Sequence, residues 1–203
     1  MGAIATNEEI VTFIKLLGNL AVSECNRRAT SGQGFVVPSI CIAQSAVAIG
    51  WGKSGIMTKA NALFGIKAGG SWSGKVYTPD TGEIKSGEAY NTVTNFRAYD
   101  SLDDSVSDYY NFIVNNPRYS GAVSNFDNIL PRLTPGTTIS AIHAGGYSTD
   151  DLYVEHIMNI VNTHNLGQWD ARINPDLTNT PLNYDQIEPT TPEREFPFVF
   201  VKI

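Results

Sequence analysis

Glu83 and Glu88 lie in the glycine-punctuated run TPDTGEIKSGEA. Each is either a solvated turn residue or a carboxylate able to move a proton. Three histidines, His143, His156 and His164, are thirteen and eight residues apart. That spacing matches neither HxxxH nor HExxH, and no CxxC pair accompanies it, so no metal is expected. The glycines of KAGGSWSGK lack the GxxxxGK[ST] order of a phosphate loop, and no cofactor is implied. Trp51 and Trp72 have the flat faces that stack on sugar rings. Trp51, inside GWG, is expected to pack a helix end, whereas Trp72, in a glycine-rich loop, is the better groove candidate.

Composition narrows the partners. With 203 residues and 42% hydrophobic content, the chain can bury one sizeable core. Charged residues make up 17% and the net charge is −6, so there is no basic footprint for nucleic acid or an anionic membrane. The glycine, tyrosine and asparagine content suits neutral, hydroxyl-rich ligands such as glycans. MGAIATNEEI has no basic segment followed by an apolar core, so it does not read as a signal peptide, and no run approaches the ~18 apolar residues of a membrane span. Cys25 and Cys41 sit in apolar helical patterns and are expected to be free, buried thiols.

The elements that must position these groups follow from periodicity. Ile10, Phe13, Ile14, Leu17, Leu20 and Ala21 recur at three and four, which predicts a helix from Asn7 to Ala29. TSGQGF ends it. VPSICIAQSAVAIGW restarts with Pro38 suited to a first turn and almost no charge afterwards, the pattern of a buried helix. Glycine turns and the run containing Val93, Phe96 and Tyr99 predict a β-hairpin lobe between Gly69 and Asp100. Ser101 with Asp104 caps a helix through Val106, Tyr109 and Ile113, and Thr149 in STDD is expected to cap another through Leu152, Tyr153, Ile157, Ile160 and Val161. The fold class is α+β, mainly α, with one main domain over 1–167. The remainder, 168–203, has no helical period and reads as an arm or linker, although EFPFVFVKI looks like a strand.

Five motifs, AQSAVAIGWGKS, ALFGIKAGGSWSG, FRAYDSLDDSVSDY, NPRYSGAV and GGYSTDDLYVEHI, occur in the order and approximate spacing of the glycoside hydrolase family 73 glucosaminidase domain of flagellar peptidoglycan hydrolases, autolysins and phage lysins. The resemblance covers about residues 7–166. It implies a lysozyme-like helical domain with a β-hairpin lobe flanking the cleft, and an endo-β-N-acetylglucosaminidase that cuts the GlcNAc-β-1,4-MurNAc backbone of peptidoglycan. Its place of action would be the cell wall, whether extracellular, periplasmic or virion-associated. Docking into a larger phage or secretion assembly through 168–203 is a further option that the resemblance allows.

In the family the first motif reads AQ-x-A-x-E-x-GWG, and its glutamate is the general acid. Aligning Ala43, Gln44, Gly50, Trp51 and Gly52 places that acid at Ala48, where a methyl group stands instead. Protonation of a leaving group by a placed acid contributes about 10²–10⁴ in rate, so the chain is expected to be nearly inactive as it stands. Two readings compete: a deliberate Glu→Ala replacement and a natural loss. Retention of the rest of the motif favours the first, and a non-catalytic glycan-binding or structural module is the alternative function.

The resemblance assigns Glu83 as the second acidic residue, with Glu88 as its competitor in the same hairpin, and Tyr119 as a cleft tyrosine assisting at the reacting sugar. Gln44 either contacts substrate or braces its helix. Phe64 is expected to underlie the groove, Trp72 to stack on sugar, and Tyr147 to line the groove or serve the core. The family's asparagine before LFG is displaced by one position, with Ala62 before LFG and Asn61 one residue earlier.

Overall fold

The computed structural model describes residues 4–79, 83–85, 88–90, 94–126 and 133–174, with backbone alone for 83–85 and 88–90. Helix α1 runs Asn7–Thr30. Thr6 accepts from the Glu9 amide while the Glu9 carboxylate accepts from the Thr6 amide, so two orphan donors are satisfied at once. Glu8 and Glu9 in the first turn and Arg27 and Arg28 in the last match the helix dipole. Its buried face carries Phe13, Ile14, Leu17, Ala21, Val22 and Cys25.

Helix α2, Pro38–Ile49, is the centre of the molecule. Every residue from Pro38 to Ala46 is buried, as is Ile49. Proline at its first position already has the helical φ and lacks only an N–H that would have no partner there. Gly50, in the left-handed region at φ 55°, ends the helix. A short helix α3, Gly55–Ala60, capped by Ser54, follows.

The lobe consists of two antiparallel pairs nested in sequence: β1 (Val76–Tyr77) with β4 (Phe96–Arg97), and β2 (Glu83–Lys85) with β3 (Glu88–Tyr90). The hairpin expected from the sequence is therefore present, built as an outer and an inner pair. Val93 lies outside the described residues.

Helix α4, Leu102–Val114, begins at the Ser101–Asp104 capping box that the sequence predicts. A 3₁₀ segment, Pro117–Ala122, packs against helix α5, Pro135–Ala144. Helix α6, Tyr153–Thr163, starts later than expected and has no side-chain cap on its N-cap residue Leu152. Thr149 is not the cap. Asp150 accepts from the Leu152 amide at 3.0 Å and faces His156 Nδ1 at 3.2 Å, so the acidic side chain organises the turn that precedes the helix.

A second departure follows Gly167, where no helical period is visible in the sequence. Residues Gly167–Asp170 form a helical turn, α7, and Trp169 is fully buried. Residues 175–203, with EFPFVFVKI, lie outside the described set. Cys25 and Cys41 are free and buried, as expected. Burial raises both thiols above their ordinary range, which keeps them protonated and inert. Among the described residues no helix is long and apolar enough to cross a membrane.

Candidate active site

Helix α2 comes to the surface at one place. Val47 and Ala48 are its only partly exposed residues. Immediately beyond, Gly50, Trp51 and Gly52 have φ values of 55°, 56° and 86°. Three consecutive left-handed residues turn the chain sharply, and the two glycines permit it without a Cβ clash. Trp51 is not a glycine and takes this sparsely populated conformation under packing from both sides. Its ring meets Phe13 at 5.8 Å and His164 at 4.9 Å, both edge-on. Trp51 thus packs the helix end, as its place in GWG suggests.

One turn before Ala48 and on the same side of the helix is Gln44, 1% exposed. Its amide nitrogen donates to the Tyr153 hydroxyl at 2.8 Å and its carbonyl oxygen accepts from the Tyr109 hydroxyl. Its polar ends are held inside the core, tying α2 to α4 and α6. Phe64 lies beneath the same region, 3% exposed and stacked on Tyr109 with ring centres 4.0 Å apart.

Tyr119 and Tyr147 are 1% and 2% exposed and sit 6.1 Å apart, ring to ring. Tyr147 in turn stacks on Tyr153 at 6.0 Å. A continuous aromatic path therefore runs from Gln44 through Tyr153 and Tyr147 to Tyr119. Gly145 makes this packing possible, because a Cβ there would stand 2.5 Å from Tyr119 Cδ1 and 2.6 Å from the Arg118 carbonyl oxygen. Burial pushes the hydroxyls of Tyr109, Tyr147 and Tyr153 above their ordinary range, so all three are neutral hydrogen-bonding groups near neutral pH.

The lobe is fastened to α4 by a second cluster. The Arg97 guanidinium donates to both Asp108 oxygens, at 3.0 and 2.9 Å, and the Tyr99 hydroxyl donates to the same carboxylate at 2.7 Å. Arg97 also lies 4.6 Å from the Trp72 ring centre, and the Trp72 indole N–H donates to the Lys75 carbonyl at 2.9 Å. Trp72 is therefore a half-buried, oriented ring at the base of the lobe. The Asn61 amide donates to the Tyr99 and Asp100 carbonyls, at 3.1 and 3.2 Å, which gives it a loop-tying role.

Within the lobe the backbone of Glu83 is registered opposite Tyr90, and that of Glu88 opposite Lys85. The histidines do not converge. His143 lies near Tyr153, His156 faces Asp150, and His164 is buried against Trp51. No group of three His, Cys, Asp or Glu side chains able to hold a metal occurs among the described residues.

Several contacts were not visible in the sequence. The tyrosine pair that braces Gln44 comes from positions 65 and 109 residues away. The consecutive tyrosines in SDYYNF were the one available signal, since one face of a helix cannot bury both without a polar partner for each hydroxyl. Asp170, whose carboxylate holds Ser39 across 131 residues, left no mark in the local pattern.

The sequence profile of the family described as "Glucosaminidase: Mannosyl-glycoprotein endo-beta-N-acetylglucosaminidase" matches residues 28–166. The peptidoglycan hydrolase FlgJ of Vibrio parahaemolyticus is 34% identical over 128 residues, covering 62% of this chain and 40% of FlgJ. The exo-glucosaminidase LytG of Bacillus subtilis is 33% identical over 151 residues, covering 73% of this chain and 51% of LytG. The chain thus spans about half the length of these curated relatives or less. Among solved structures, the catalytic domain of the autolysin Auto from Listeria monocytogenes matches with a TM-score of 0.63 at 28% identity, covering 82% of this chain and 90% of that one. The mainly helical, lysozyme-like α+β architecture is shared with that domain.

Proposed function

The chain belongs to the glucosaminidase family, and from that premise we propose that it is the glycan-cleaving domain of a peptidoglycan hydrolase whose general acid has been replaced by alanine at position 48. The reaction is hydrolysis of the GlcNAc-β-1,4-MurNAc bond within the strand, and the site of action is the cell wall outside the cytoplasmic membrane. The observation that carries this reading is the exposure pattern of α2. A helix buried over nearly its whole length opens to the surface only at Val47 and Ala48, against the aromatic floor formed by Tyr109 and Phe64 beneath Gln44.

A carboxyl group at position 48 would sit at the end of an apolar helix beside Trp51 and Val47, surroundings that raise a carboxyl pKa and keep it protonated for donation to the leaving oxygen. Glu83 is the second carboxylate, stabilising the oxocarbenium-like transition state or orienting water. Glu88 is the weaker candidate, because Glu83 fits the family spacing of the second acidic residue better. Tyr119, 1% exposed, supports the reacting-sugar subsite from within the aromatic path, Trp72 offers a ring face to a pyranose, and Gln44, Phe64 and Tyr147 hold the floor from beneath. With alanine at position 48 the socket lacks its proton donor and loses about 10²–10⁴ in rate. The intact surroundings favour deliberate replacement over natural loss.

The similarity to an exo-acting glucosaminidase supports a second reading of where along the strand cleavage occurs. Both are tested by digesting purified cell wall with the Ala48→Glu protein, reducing the products with borohydride and determining their lengths by mass spectrometry. Internal cleavage gives oligosaccharides with reduced N-acetylglucosamine ends. Release of terminal units alone would replace the endo reading with the exo one. Reduced N-acetylmuramic acid ends would overturn the bond assignment.

A further inference from the structure

The first turn of α2 has an unusual source for its cap. The N-cap residue is Val37, which has no side-chain acceptor, and Pro38 has no N–H. The first free donor is therefore the Ser39 amide. It donates to Asp170 Oδ1 at 2.7 Å, and the Ser39 hydroxyl donates to Asp170 Oδ2, also at 2.7 Å. The next amides, Ile40 and Cys41, both reach the Val37 carbonyl, at 3.1 and 3.3 Å. Asp170 completes the first turn of the helix that ends at position 48, with an acceptor and a negative charge of the sign favoured at a helix N-terminus.

The segment that delivers Asp170 is itself bolted down. Trp169 lies directly over Gly18 of α1, where a Cβ would come within 2.5 Å of the indole ring. Arg172 covers the indole at 4.7 Å, and the Asn174 amide donates to Asn26 Oδ1 at 2.8 Å. Two contacts on α1, from Trp169 to Gly18 and from Asn174 to Asn26, and the Asp170–Ser39 contact on α2 hold a short segment that lies beyond the family-matched stretch of 28–166.

We propose that Asp170 is a positioning residue for the reaction, fixing the axial placement of α2 and thereby of the acid position at 48. It touches no substrate and acts through Ser39. This rests on the hydrolase reading for its catalytic consequence, but the capping itself does not. Asparagine at 170 retains the arrangement, since its amide oxygen can accept from the Ser39 amide and its NH₂ can donate to the Ser39 hydroxyl. Alanine retains neither bond.

The test has two arms. In the chain as it stands, amide hydrogen exchange of Ser39 is measured for Asp170→Ala and Asp170→Asn. Loss of a helix cap is expected to speed Ser39 exchange about threefold to thirtyfold in Asp170→Ala. Asp170→Asn should stay near the parent rate. In the Ala48→Glu background, Asp170→Ala should lower kcat with KM unchanged, by as much as about a hundredfold for an ångström of misplacement, with Asp170→Asn restoring it. Val161→Ala, a comparable destabilisation in α6, should leave kcat near the parent value. Unchanged Ser39 exchange in Asp170→Ala overturns the capping, and a kcat loss no greater than that of Val161→Ala overturns the positioning role. An inactive Ala48→Glu protein with accelerated Ser39 exchange overturns the hydrolase reading while upholding the cap.

Discussion

Gln44 on α2 and Tyr153 on α6 join through an amide-to-hydroxyl hydrogen bond of 2.8 Å, with both residues inside the core. The Tyr109 hydroxyl closes the other end of the same amide. A buried side-chain amide with partners at both ends is specified in orientation as well as in position, and the next turn of the helix inherits that register. Position 48 is held in place from below by a polar clamp set inside the core.

Removing one partner is therefore expected to cost more than the bond itself. Tyr153→Phe leaves the Gln44 NH₂ unsatisfied and should destabilise the domain by about 1–3 kcal/mol. Urea unfolding monitored by circular dichroism measures this, and an unchanged midpoint would show that the amide is not a structural element.

Stability should vary with pH through Asp170. Burial pushes its carboxyl up to about 6, with the two bonds from Ser39 opposing the rise. A carboxyl raised on folding binds its proton more tightly in the native state than in the unfolded chain. Its contribution is then largest below the unfolded value of about 4, declines as pH climbs towards about 6, and is constant above that. Thermal unfolding of Asp170→Asn between pH 4 and 7 should lack this part of the decline. Identical pH profiles for the two proteins would contradict the assignment.

The lobe should loosen when its anchor is cut. Arg97→Ala strips the Asp108 carboxylate of two charge-assisted bonds and removes the cation from the Trp72 face, a loss of about 2–3 kcal/mol. Arg97→Lys should recover little of it, because an ammonium cannot reproduce the fork or the stacking. Chemical denaturation of the two variants, with tryptophan emission reporting the surroundings of Trp72, distinguishes them.

Gly145→Ala should be harmful although its φ of −72° suits any residue. The added methyl would collide with the Tyr119 ring and the Arg118 carbonyl, and overpacking of this kind costs about 1–3 kcal/mol. In the Ala48→Glu background the variant should also lose activity beyond what its lowered stability explains, if Tyr119 serves the reacting sugar.

Most of the helical framework was legible in the sequence because it depends on local signals. The Thr6–Glu9 box opens α1, Pro38 opens α2, and Ser101 with Asp104 opens α4, each where periodicity places the helix. Helix α5 was missed, since its short apolar pattern of Ile139 and Ile142 is too sparse to stand out, although Thr134 and Pro135 begin it in the ordinary way. Helix α7 was missed for a different reason. Trp169 is held there by the gap above Gly18, a tertiary complementarity with no local period.

The site divides along the same line. The proposed acid position at Ala48 rests on one ordered motif, because the residues flanking it are contiguous in sequence. The clamp on Gln44, the anchor at Arg97 and the cap from Asp170 join distant segments, and only the folded chain brings them together.

The most direct measurement is the rate of clearing of purified cell walls by three proteins at equal concentration: the chain as it stands, Ala48→Glu and Ala48→Gln. Glutamate should raise the rate by about 10²–10⁴, and glutamine, equal in size but unable to give up a proton, should leave it near the parent value. Equal rates for all three would contradict the assignment of position 48 as the missing general acid.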